Sequence, residues 1–87
     1  MHEHALMTDL VGKILKTAAG EGGRRVTAIS VRLGALSHLT PDHFAEHFEQ
    51  AAAGTIAEGA VISAVAATEI DDPHASDVIL TAVEVET

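Results

Sequence analysis

The spacing of apolar residues switches between two periods along this chain, and glycine or proline marks most of the switches. From about His4 to Ala19, Met7, Leu10 or Val11, Ile14 and Ala18 recur every three or four positions, the stripe of an amphipathic helix. Gly20, Gly22 and Gly23 end it, because glycine adopts the left-handed cap and weakens a helix interior. Residues 24–34, RRVTAISVRLG, alternate instead, and this spacing predicts a strand. Strict alternation puts Thr27, Ile29, Val31 and Leu33 on one face, with Val26, Ala28, Ser30 and Arg32 on the other.

Thr40-Pro41-Asp42 is a helix start: Thr can cap, Pro suits the first helical position, and Asp favours the positive end of the macrodipole. Phe44, Phe48, Ala51 and Ala52 form the apolar stripe of this second helix, which Gly54 ends. A second strand is expected over 60–68 and a third over 78–86, with the turn-forming link EIDDPHASD at 69–77. In the third strand Ile79, Thr81, Val83 and Val85 are expected on one face, opposite Glu84 and Glu86. The fold class is therefore α+β, a two-layer sandwich of order α-β-α-β-β. Two helices would lie on one face of a three-stranded mixed sheet. The strand-helix-strand unit suggests a parallel crossover, and the short link suggests that the last two strands pair antiparallel.

Eighty-seven residues make one domain, 1–87, and a chain of this size buries only roughly 60% of its unfolded surface. A net charge of −8 repels phosphate, so neither nucleic acid nor an anionic membrane is an expected partner, whereas cations are. With no Tyr or Trp and two Phe, platforms for stacking bases are almost absent. MHEHALMTDL lacks a basic leader followed by an apolar run, and no stretch is apolar enough to span a bilayer, so the cytoplasm is the expected compartment. Cysteine is absent, which excludes disulfides and thiolate zinc sites within this sequence.

Six histidines are the chemical oddity. His43 and His47 stand i,i+4 on the second helix, with Asp42 and Glu46 close by in sequence. Such a pair can hold a divalent ion, but it also arises readily on the surface of a histidine-rich chain. His2 is more specific. The α-amine of Met1, the backbone nitrogen of His2 and its imidazole can close adjacent five- and six-membered chelate rings. The backbone nitrogen of Glu3 can complete a four-nitrogen plane. Tetragonal nitrogen sites favour Cu(II) or Ni(II), and the cost of deprotonating amides disfavours zinc. The bland alternative is a frayed terminus with no ligand role.

Read in order, MHEHALM at 1–7, RRVTAISVRLGALSHLTPDHF at 24–44, FAEHFEQAAAGTIAEGAVI at 44–62 and VILTAVEVET at 78–87 resemble the HypA/HybF family of nickel-incorporation metallochaperones of hydrogenase and urease maturation. The resemblance runs from end to end of the chain. It implies nickel delivery rather than catalysis, with Ni(II) held by the N-terminal amine, the imidazole of His2 and nitrogen from Glu3. In the family an acidic residue just before the second helix is linked to the same site. Thr40 stands at that position here, leaving Asp42 and His38 as candidates nearby. Family members also carry a zinc module with two Cys-x-x-Cys pairs between the last two strands. The link 69–77 replaces it here, so no structural zinc is expected, and His74 is either a remnant ligand or a solvated side chain.

The partners implied are a nickel-handling, nucleotide-hydrolysing maturation protein and a nickel-enzyme precursor. The oligomeric state stays open between monomer and homo-oligomer. The alternative is a zinc-less paralogue serving as a protein-interaction or dimerisation module, with nickel binding weak or lost. An enzyme is not expected: there is no cysteine nucleophile, and GEGG at 20–23 is not followed by the Lys and Ser or Thr of a phosphate-binding loop.

Overall fold

The computed structural model describes residues 2–87, with side chains from Ala5 onward. The element order is α1 (His2–Gly20), β1 (Arg25–Leu33), α2 (Pro41–Ala52), β2 (Val61–Ala66) and β3 (Val78–Glu86), the expected α-β-α-β-β.

Helix α1 buries Met7, Leu10, Val11, Ile14 and Ala18, so both candidates at the 10/11 position face inward. The glycine cluster closes it as a Schellman motif. Gly22 takes φ +69°, its N–H donates to the Ala19 carbonyl at 3.1 Å, and Gly23 N–H donates to the Ala18 carbonyl at 2.8 Å. Helix α2 begins as its sequence dictates. Thr40 caps it in extended conformation, and its Oγ1 accepts the His43 N–H at 3.1 Å. Phe44 and Phe48 are fully buried with ring centroids 6.0 Å apart, and Ala52 is buried beside them, while Ala51 is only partly so. The helix ends at Ala52, two residues short of Gly54; Thr55 Oγ1 donates to the freed Ala52 carbonyl at 2.7 Å.

The sheet order is β2-β1-β3, with β1 parallel to β2 and antiparallel to β3. The expected antiparallel pairing of the last two strands is therefore replaced by pairing of β3 with β1. The link after β2 must cross the end of the central strand, a span of roughly 10 Å for two strand spacings. It does so in close contact with that end. Ala67 N–H donates to the Leu33 carbonyl at 2.8 Å, Gly34 N–H to Asp77 at 2.9 Å and Leu36 N–H to Ala75 at 2.7 Å. Ala75 is buried, and Arg32 pairs with Asp72 at 3.2 Å.

Two irregularities in the β1–β3 ladder change which side chains face the helices. Val26 pairs with Val85 but Ala28 with Glu84, leaving Thr27 as an extra residue on β1. Ser30 pairs with Ala82 but Val31 with Leu80, leaving Thr81 as an extra residue on β3. Each threonine hydroxyl donates to a carbonyl of the opposite strand, Thr27 to Glu84 at 3.2 Å and Thr81 to Ser30 at 3.1 Å. A one-residue bulge inverts the inside-outside phase. Val26 is consequently buried with Ile29, Val31 and Leu33, and Thr27 is exposed. On β3 it is Val78, Leu80, Val83 and Val85 that pack on the core, in place of the expected Ile79, Thr81, Val83 and Val85. The face away from the core carries Val61 and Val65 at 69% and 63% exposure.

Candidate metal centre

The expected nickel claw falls at the chain's first residues. Met1 lies outside the described residues, as do the side chains of His2 and Glu3. The backbone there is helical, since α1 begins at His2. The first four amides of an α-helix have no intrahelical acceptor. Ligation by the backbone nitrogens of His2 and Glu3 would therefore break no helical hydrogen bond. The donor set of amine, amide and imidazole nitrogens suits Ni(II), a d8 ion that tolerates a nitrogen plane.

The other candidates lie around the start of α2. His38 sits in the preceding loop with φ +63°, a left-handed backbone that costs a non-glycine residue roughly 1–2 kcal/mol. Asp42, in the first turn of α2, is exposed. Among the described residues, no group of three or more His, Cys, Asp or Glu side chains gathers as a metal cage. His38 and Asp42 therefore do not join His43 and His47 in one cluster.

His43 and His47 do meet. Their Nε2 atoms stand 2.8 Å apart, ring centroids are 4.5 Å apart and the ring planes are tilted by 57°. The i,i+4 spacing on a capped, regular helix brings them together. His74 is occupied structurally. Its N–H donates to Asp72 Oδ1 at 2.8 Å and its Nδ1 lies 3.0 Å from Asp77 Oδ2, so it shapes the link. Sequence reading alone missed the local role of Asp72, which holds both the His74 backbone and Arg32. The Asp-Pro-His turn at 72–74 was the available signal. No helix among the described residues is long and apolar enough to cross a membrane.

Comparison with known proteins places these features in a family context. The family model described as "Hydrogenase/urease nickel incorporation, metallochaperone, hypA" matches residues 1–70. The chain is 47% identical over 62 residues to a hydrogenase maturation factor HypA of Thermococcus gammatolerans, covering 71% of this chain and 45% of that protein. It is 46% identical over 65 residues to the HypA of Thermococcus kodakarensis, covering 75% and 47%. With hydrogenase maturation factor HypA 2 of Bradyrhizobium diazoefficiens it shares 37% identity over 65 residues, covering 75% and 58%. The chain spans about half the length of the curated relatives it matches. The family match stops at residue 70, inside the link between β2 and β3.

Proposed function

This chain belongs to the HypA family of hydrogenase/urease nickel incorporation, and on that premise we propose that it binds Ni(II) at its amino end and passes it to nickel-enzyme maturation. The Met1 amine, His2 imidazole and backbone nitrogens of His2 and Glu3 form the claw. The observation that carries this reading is the family match beginning at residue 1, together with a helix whose first-turn amides lack intrahelical acceptors. Nickel is cargo here, not a resident cofactor. A ligand set at a chain end releases it without disturbing the core, and no chemical step is catalysed.

The recipients in this reading are a nucleotide-hydrolysing maturation protein that handles nickel and the precursor of a nickel enzyme, in the cytoplasm. Residues 1–87 act as one nickel-binding domain in which the link 69–77 stands in place of a zinc module, without structural zinc. A chain bearing −8 attracts the cation it carries.

Isothermal titration of untagged protein with NiCl2, followed by visible absorption, tests the assignment. One tight site with the yellow colour of square-planar nickel is expected. One residue added before Met1, or His2→Ala, should abolish it. Unchanged tight binding in both variants would refute the claw.

A second reading is a protein-interaction or dimerisation module with weak or no nickel binding. Val61 and Val65, exposed on the helix-free sheet face, favour it. Capture of hydrogenase maturation factors by the purified chain, equal with and without nickel, would support this reading over delivery.

A further inference from the structure

We propose that the open edge of β2 pairs with the same edge of a second copy of this chain, antiparallel about a two-fold axis at Ser63, joining two three-stranded sheets edge to edge. The order β2-β1-β3 leaves β2 at one end of the sheet. Val61–Ala66 pair in parallel with β1, and just beyond them Ala67 N–H donates to the Leu33 carbonyl. By the alternation of a strand, Ser63 and Val65 also turn their backbone groups to β1, and Ile62, Ala64 and Ala66 turn theirs to the open side. Natural sheets blunt such an edge with charge, proline or a bulge. The other edge has these devices: β3 carries Glu84, Glu86 and the unmatched Thr81. Residues 59–68 carry no charge and no proline, and the register of β2 on β1 is unbroken.

The occupant is a second copy because the strand is complementary to itself. A two-fold axis through Ser63 sets Val61 of each copy opposite Val65 of the other, and Ile62 opposite Ala64. Ile62 and Ala64 then exchange their outward N–H and C=O groups with the second copy, while Val61, Ser63 and Val65 form the closer, non-hydrogen-bonded pairs. Val61 and Val65 are 69% and 63% exposed in the single chain, whereas Ile62 and Ala64 already pack on the core. A slip of one residue would set exposed side chains against core-facing ones. A slip of two would leave each valine opposite Ser63, Gly59 or Ala67. Only the register centred on Ser63 covers all four valines with one another. Six paired residues make a contact below the roughly 1,200 Å² of a standard interface, so the dimer is weak and reversible. Its surroundings are acidic: α2, which lies over β2, exposes Asp42, Glu46 and Glu49, and Glu58 and Glu69 flank the strand. Salt therefore tightens the contact by screening this repulsion. The contact gives the dimerisation reading its surface, but it does not need that reading, since nickel delivery from residues 1–3 is compatible with a dimer.

The test uses the full 87-residue chain without metal. In sedimentation equilibrium the mass should rise from 9.0 kDa toward twice that as concentration goes from about 10 µM to about 1 mM. Dimerisation should tighten severalfold between about 50 and 500 mM NaCl. Amide exchange followed by NMR should slow with concentration at Ile62, Ala64 and Ala66 and stay constant at Ser63 and Val65, which are bonded to β1 at every concentration. Val61→Glu/Val65→Glu, at two exposed positions, should keep the circular dichroism of the fold and remain monomeric at the highest concentration. An equimolar mixture of Val61→Lys and Val65→Glu chains should pair more tightly than Val61→Lys mixed with Val61→Glu, because position 61 faces 65 across the axis. A mass fixed at 9.0 kDa throughout would overturn the proposal, and an edge that then took up only strands of other proteins would have a different occupant. Undiminished dimerisation of the double glutamate variant, looser pairing in high salt, or equal pairing in the two mixtures would overturn it as well. None of these outcomes alters the nickel titration, so the contact and the amino-terminal claw stand or fall separately.

Discussion

The backbone of Gly34 lies against the carbonyl of Ala75 so closely that a methyl group on Gly34 would overlap it, and would also come within 2.8 Å of the Asp77 carbonyl oxygen. Neither obstacle is a flexible side chain; both are backbone of the link. Gly34→Ala must push the link off the end of β1, breaking the hydrogen bonds at Gly34 and Leu36. A loss of about 2 kcal/mol is expected. For a domain of this size that lowers the melting temperature by roughly 8–16 °C in a calorimetric scan. Gly12 is the contrast. It lies in α1 with nothing within 4 Å of a Cβ, so Gly12→Ala should stabilise by about 0.5–1 kcal/mol.

The bulge at Thr27 makes a prediction opposite to that of simple alternation. Val26 is fully buried and Thr27 exposed. Val26→Asp should leave the protein unfolded in circular dichroism at 25 °C, because a carboxylate would be buried without a partner. Thr27→Asp loses only an exposed hydroxyl contact and should cost about 1 kcal/mol. Greater damage from Thr27→Asp than from Val26→Asp would mean that the strand keeps an unbroken alternation.

Removal of the α2 cap should be measurable by chemical denaturation. Thr40→Ala leaves the His43 N–H without its acceptor and should cost about 1 kcal/mol, with Thr40→Ser restoring most of it.

The link should accept extra chain at its exposed point. Ile70 is 65% exposed, away from the Ala75 and Asp72 contacts that bind the link to the sheet. Inserting a flexible ten-residue Gly-Ser segment between Ile70 and Asp71 about doubles the loop and should cost only about 0.6 kcal/mol. A melting temperature lowered by more than roughly 10 °C would argue that the short link is itself essential.

The helices could be read from sequence because their signals are local. A cap, a proline, a glycine cluster and a 3.6-residue stripe each act within one or two turns, and the starts and buried faces follow. Strand pairing was not local. Nothing in VILTAVEVET states that β3 pairs with β1 across the end of β2's crossover, because that choice is made by long-range packing. The two bulges were equally invisible. Threonines 27 and 81 look like ordinary strand residues, and only the opposing strand reveals the unmatched register. For the candidate metal ligands, the i,i+4 rule put His43 beside His47, and the structure gives that pairing. Spacing alone could not say whether His38 and Asp42 would join them, since the loop before α2 sets their positions.

The strand order carries a consequence for the timing of assembly. Residues 2–66 contain both helices and the parallel pair, yet the central strand then has a bare flank where β3 belongs. Such a partial chain exposes nine residues of unsatisfied backbone edge, the kind of surface that recruits stray strands. Completion waits for Val78–Glu86 to arrive. Any module placed between β2 and β3 lengthens that wait, whereas an eleven-residue bridge across 67–77 keeps it short.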